Sequence, residues 1–241
     1  MPSPAGLLLV FLAACGSGGA DSGPSEPGGG KVLFVGPARR LVPHEEGRSA
    51  LFRVTATTGG ATTTTALRTR VASDDGTSFV VEQRAEDGSE SRLHARDVGA
   101  EIRAEAVVDG DGVLRAVDPA AVLVRTPVVA GEPVQGGFQR SLAVVLRGTD
   151  GDVRVVVPFE GTSERTPLGL DEDGAIRFGV VADGAATVPT AVGTIGFRLR
   201  VTGEESLAPD VGLVREELDL ELRAGSGTAT AHLSTLRMDA P

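Results

Sequence analysis

The sequence predicts an all-β chain, with antiparallel sheet arranged as a half-barrel, barrel or sandwich and closed by tight Asp-Gly hairpins. Three observations predict it. Apolar and polar residues alternate with period two from Leu51 to the C-terminus, while no stretch sustains helical periodicity. Asp-Gly dipeptides fall between the alternating runs, and Asp-Gly supplies the positive φ angles of tight hairpin turns. The runs recur at roughly ten-residue spacing, which suits short antiparallel strands.

In chain order, the strand-like runs begin at Leu51 and continue with the Thr-rich Ala61 to Val71 and with Phe79 to Arg84. Ile102, Ala104 and Ala106 then alternate with Glu101, Arg103 and Glu105. Val153 to Phe159 and Ile176 to Val181 follow. The clearest alternation is in Phe197 to Thr202 and in Glu217 to Arg223, where apolar and charged residues take strict turns. One buried and one wet face is the signature of antiparallel sheet. Phe197, Leu199 and Val201 should therefore share a core with Leu218, Leu220 and Leu222. Arg198 and Arg200 should lie on the same wet face as Asp219 and Glu221.

Turns are expected at Asp75-Gly76, Asp87-Gly88, Asp109-Gly110, Asp111-Gly112, Asp150-Gly151, Asp173-Gly174 and Asp183-Gly184. Pro119, Pro127, Pro133, Pro158, Pro167, Pro189 and Pro209 should sit in loops or at edges, where a missing N–H does least harm. The Pro/Gly-broken stretch from Asp118 to Gly137 could divide two sub-sheets, although no clean repeat favours more than one β domain.

The N-terminus reads differently. An apolar run from Leu7 to Ala14 leads into Cys15, the single cysteine, and a Gly/Ser/Pro-rich stretch leads away from it. The run is too short to span a bilayer, which takes about 20 apolar residues. The sequence Leu12-Ala13-Ala14-Cys15 resembles the lipobox of a bacterial lipoprotein signal. That resemblance implies a signal peptide over residues 1–14, a diacylglycerol thioether on Cys15 with palmitate-type acyl chains, and a flexible tether over residues 15–30. A β-rich domain would occupy residues 31–241. Two acyl chains suffice for stable anchoring where one holds only marginally. Gly16 after the cysteine is not the Asp associated with inner-membrane retention, so the resemblance implies an outer-membrane address in the cell envelope.

Composition excludes several partners. The net charge of −10 repels phosphate backbones and anionic headgroups, so nucleic acid is not expected and the acyl chains must carry the anchoring. The chain has no Trp and no Tyr, the rings on which sugar sites and stacking grooves depend. With one cysteine there is no internal disulfide, so the core alone must hold the fold.

No residue constellation announces catalysis. His44, His94 and His232 are scattered without metal-ligand spacing and read as solvated. Glu204-Glu205 and Glu216-Glu217 flank strands and read as solvated strand ends. The Asp-rich turns lack the ligand spacing of a calcium loop. No catalytic residue, metal ligand or cofactor is therefore assigned, and the one site residue is Cys15.

From Ala186 onward, Val188-Pro189, Gly193-Thr194, Phe197 and the run Ala208-Pro209-Asp210-Val211-Gly212-Leu213-Val214 resemble the ending of TapB-like exported bacterial proteins. Leu207 stands where that family usually has an aromatic, and Asp210 replaces a Gly. The resemblance implies an antiparallel, half-barrel-like β fold in an exported lipoprotein and carries over no catalytic residue. The expectation is thus a lipid-anchored, non-enzymatic β protein of structural or interaction role, its partner the bilayer or an envelope protein. The alternatives are a carrier of a lipid or other apolar ligand, and a hydrolase with a dispersed site.

Overall fold

The computed structural model describes residues 30–109, 112–148, 151–190, 193–225 and 227–238. The expected signal peptide, Cys15 and the tether up to residue 29 lie outside the described residues. Among these described residues fourteen strands follow in order: β1 (Val32–Phe34), β2 (Ser49–Thr58), β3 (Ala61–Asp74), β4 (Ser78–Ala85), β5 (Glu90–Asp97), β6 (Glu101–Val108) and β7 (Leu114–Arg125), then β8 (Val128–Val129), β9 (Val134–Gly148), β10 (Gly151–Leu170), β11 (Ile176–Thr190), β12 (Gly193–Ala208), β13 (Gly212–Ala224) and β14 (Gly227–Arg237). Among the described residues the only helical element is a 3-10 turn over Ala38–Arg40. The predicted all-β, antiparallel class is what the chain adopts.

Twelve strands form one antiparallel sheet in the order β7-β6-β5-β4-β3-β2-β14-β13-β12-β11-β10-β9. Its two ends approach each other, so the sheet nearly closes into a barrel. At the seam the β9 backbone runs against β7: a Cβ at Gly137 would lie 2.6 Å from the Pro119 carbonyl oxygen. The Pro/Gly-broken stretch marks this seam and divides no sub-sheets. Strands β1 and β8 form a separate two-stranded ribbon, with Val32 opposite Val129.

The registers match the alternation. Leu199 faces Leu222 and Val201 faces Leu220. Phe197, Leu199, Val201, Leu218 and Leu220 are buried in one continuous apolar core, against which Leu222 packs half-buried. Arg200 pairs with Glu221 on the wet face, as expected. Outward positions such as Arg68, Arg70, Arg198 and Asp219 are exposed and charged, the reverse of the apolar-out pattern of lipid-embedded barrels. Among the described residues no helix is long and apolar enough to cross a membrane.

Of the Asp-Gly dipeptides, Asp75-Gly76, Asp87-Gly88 and Asp173-Gly174 turn the chain between consecutive strands. The remaining expected turns at 109–112 and 150–151 fall in the β6–β7 and β9–β10 connections, which include residues that are not described. Asp183-Gly184 is a correction, because it lies inside β11, with Gly184 opposite Gly161 of β10. Glycine is used there for close approach: the Phe138 ring covers the spot, 2.8 Å from where a Cβ would stand.

The prolines inside strands are paired on one side at most: Pro158 with Ser141, Pro167 with Phe178 and Pro189 with Thr194. Pro119 sits in a bulge of the seam strand β7, and Pro167 at a register shift of β10. Pro158 precedes the first β10–β11 pair, Glu160 with Ala185, so β10 is locally an edge there. Pro189 lies beyond the same pair on β11, where only β12 is bonded.

One end of the barrel is capped by the segment from Ala38 to Pro43. Ala38 and Leu41 are fully buried. The cap is tied down by Ala38 N–H donating to the Gly99 carbonyl (3.1 Å) and Asp210 N–H donating to the Arg40 carbonyl (2.5 Å). Arg40 reinforces the second tie with a forked pair to the Asp210 carboxylate, its Nε 2.9 Å from Oδ1.

Candidate functional site

The barrel interior carries charge. Arg140 of β9, Arg165 of β10, Glu205 of β12 and Glu216 of β13 all point inward and are buried. Strand alternation puts them there: Arg140 lies between the inward Phe138 and Leu142, Glu205 continues the row Phe197-Leu199-Val201, and Glu216 begins the row Leu218-Leu220. The reading of Glu205 and Glu216 as solvated strand ends is therefore corrected. Their neighbours Glu204 and Glu217 do face out, with Glu204 Oε2 accepting from Arg177 Nη2 at 2.7 Å.

Register then brings the charges together. Glu205 stands opposite Glu216, and Glu216 opposite Thr235 of β14, whose hydroxyl donates to Glu216 Oε2 (3.2 Å). The Arg165 guanidinium lies over the Phe178 ring, 5.8 Å from its centroid. From there it ion-pairs with Glu205 and donates to the Leu123 carbonyl. Arg140 differs: none of its three guanidinium nitrogens has a hydrogen-bond partner among the described residues, and it is held by the fields of Glu216 and Asp109.

Burial governs the titration of this group. Loss of hydration pushes Glu216 up to about 7, the adjacent Glu205 charge adds to the rise, and Arg140 opposes it. Burial also raises Glu205, against the pull of Arg165. The same cause lowers Arg140 from its ordinary value. A carboxyl poised near neutrality beside arginines resembles catalytic tuning. Here the four side chains are packed inside the barrel and form an internal charged cluster.

The histidines occupy three separate places. His44, expected in solvent, is buried behind the cap, stacked on Phe79 with 4.2 Å between ring centroids. Its Nδ1 lies 3.1 Å from Asp74 Oδ2 and its Nε2 lies 3.2 Å from Asp97 Oδ2. The cap carries His44 inward to where the ends of β3 and β5 present these carboxylates. His94 is half-buried on β5 between Val80 and Ala106 of the neighbouring strands. His232 lies on the outer face, Nδ1 2.9 Å from Asp219 Oδ1 and Nε2 3.2 Å from Glu217 Oε2. In both His–carboxylate trios the acids sit on opposite ring edges, so they cannot converge on one ion. Among the described residues no group of three or more His, Cys, Asp or Glu is placed to hold a metal.

His232 gives a surface prediction. The Asp219 hydrogen bond raises its pKa above 6.5, with both carboxylates contributing. Its stabilising interaction is thus complete below the unfolded value and is lost as pH rises through the folded one. The ring is half-exposed, which keeps the effect on stability small. In an NMR titration His232 should titrate above 6.5, and Asp219→Asn should bring it down. A midpoint unmoved by Asp219→Asn would show that the pair does not persist in solution.

Beneath the cap lies a cavity of about 110 Å³, with walls that are mostly apolar. Leu41 and Val42 of the cap, Phe52, Phe79 and Leu93 of the barrel wall, and Arg165 of the inner cluster all border it. The sequence offered no sign of this cavity, because it is assembled from residues spread between positions 41 and 237. Cys15, the one site residue the sequence assigns, lies outside the described residues. No family model, curated protein or solved structure matches the chain.

Proposed function

We propose that the chain is a cell-envelope lipoprotein, anchored in the outer membrane by diacylglycerol on Cys15. The barrel hangs from the tether and acts through its surface, in a structural or interaction role, without turnover. The packing of the barrel supports this reading over a lipid carrier. One continuous core runs from Ala38 to Leu233, with Phe79, Phe159 and Phe197 fully buried within it. The apolar cavity under the cap is about 110 Å³, whereas sites for drug-sized ligands run to roughly 300–1,000 Å³. A lipid tail has no room there.

The test is the anchor. Replacing Cys15 with Ser in a bacterial host should abolish incorporation of labelled palmitate. It should also move the protein to soluble fractions or leave the leader uncleaved. A Cys15→Ser protein that still fractionates with membranes in mature form would refute the reading.

A further inference from the structure

We propose that the capped end of the barrel rests against the bilayer, with Val32, Val35 and Leu168 set into the headgroup region beside the tether. The inference rests on the lipid anchor proposed for Cys15 and adds the surface that meets the membrane. Three observations carry it.

The first is where the chain enters the fold. Lys31 and β1 follow Gly30 at once and lead into the cap. Only residues 16–29 separate this end of the barrel from Cys15. A Gly-rich linker of that length has an r.m.s. span of about 20 Å. Strand β7, with 12 residues, leads from the opposite end to the capped one, roughly 40 Å along its length. The acyl chains therefore hold the capped end, and not the opposite one, next to the headgroups.

The second is local charge. From Lys31 to Pro43 the chain holds Lys31, Arg39 and Arg40 and no Asp or Glu, in a protein of net charge −10. Lys31 is the only lysine in the sequence. Lys31 and Arg39 are exposed, and such side chains lay an apolar stem along a greasy surface while the charged head stays among water and phosphate.

The third is apolar exposure. Val35 is 74% exposed and Val32 51%, with Leu33 and Phe34 half-buried between them. Backbone hydrogen bonds gather more apolar side chains around this segment. Ala130 N–H donates to the Lys31 carbonyl (2.9 Å) and Gly131 N–H to the Pro167 carbonyl (2.8 Å), which sets β1 beside exposed Leu168 of β10. The bond from Ala38 to Gly99 brings exposed Val98 to the same rim. Scattered exposed valines are ordinary, but a group of them where a lipid tether enters marks a contact surface. Glu132 and Glu172 are exposed on flanking turns, so the surface suits zwitterionic rather than anionic lipid.

The chain has no Trp, so one introduced Trp reports its own surroundings. The experiment places the mature, acylated protein on phosphatidylcholine vesicles, plain or brominated on the acyl chains, and reads Val35→Trp, Leu168→Trp and, at the opposite end, Leu114→Trp. All three positions are exposed, so the core is left intact. Interfacial side chains reach about 5–10 Å into the headgroup and acyl boundary. Val35→Trp and Leu168→Trp should therefore shift to shorter wavelength and lose about half their emission to bromine. Leu114→Trp should emit as in water. Adding Val32→Glu to Val35→Trp should cut the quenching.

Val35→Trp or Leu168→Trp unquenched on acylated, vesicle-bound protein overturns the proposal and leaves the anchor standing. Leu114→Trp quenched to the same depth also overturns it, because the barrel would then have no preferred end. A blue shift of Val35→Trp that grows with protein concentration without vesicles overturns it in favour of a second copy as the occupant. A mature protein without the acyl mass removes the anchor, and this proposal with it.

Discussion

Glu205→Leu is expected to destabilise the folded chain by about 3–5 kcal/mol at neutral pH, the usual cost of stranding one member of a buried ion pair. Arg165→Met should cost less, and the asymmetry is the informative part. With Glu205 gone, the Arg165 guanidinium stays charged, because arginine does not release its proton in proteins. It would then share the interior with Arg140, whose nitrogens already lack partners among the described residues. With Arg165 gone, Glu205 can take a proton, since burial already raises its pKa. The Arg165→Met penalty should therefore shrink toward pH 5, while the Glu205→Leu penalty should not. The double variant should recover most of the loss, because well-packed apolar residues replace buried ion pairs at little cost. Urea unfolding of the three variants at pH 5 and 7.5 measures this. Equal penalties for the two single variants at both pH values would show that the pair is not buried in solution.

The strands were legible because their alternation is a local property. Phe197 to Thr202 and Glu217 to Arg223 each announce a strand, and the register between them, Val201 with Leu220, follows the predicted shared core. The charged cluster was half-legible. Continuing the inward row Phe197-Leu199-Val201 reaches position 205, and running the row Leu222-Leu220-Leu218 backward reaches position 216. The signal was present, but paired Glu residues at the edge of a clear run read as the end of the strand. Strand β12 instead continues to Ala208 and β13 begins at Gly212, which puts both carboxyls inside. Arg140 gave less warning. The run Leu142-Ala143-Val144-Val145-Leu146 is apolar at every position, so period two is lost in sequence. His44 and the cavity were beyond local reading. They depend on a cap that folds over the barrel end through contacts with Gly99 and Asp210, far along the chain.

The wild-type chain is expected to lose stability as pH rises from about 4.5 to 7, and Glu216→Gln should remove much of that slope. The folded value of Glu216, about 7, lies above its ordinary value of 4.5. Within that window the folded state binds more protons than the unfolded state, so unfolding becomes easier as protons are withdrawn. At about 1.4 kcal/mol per pKa unit, the shift corresponds to about 3 kcal/mol, reached once the pH exceeds the folded value. Glu205, also raised, acts in the same direction. Glu101, Asp75 and Asp210 are shifted the other way by arginine contacts or backbone N–H bonds, so their stabilisation is already complete near pH 5 and does not mask the slope. Glutamine mimics the protonated carboxyl in shape and can still accept from Thr235, so Glu216→Gln should match the wild type at pH 5 and exceed it at pH 8. Chemical denaturation at pH 5, 6, 7 and 8 reads both curves. A wild-type stability that is flat or rising across this range, or a variant with an unchanged slope, would show that Glu216 does not titrate inside the barrel.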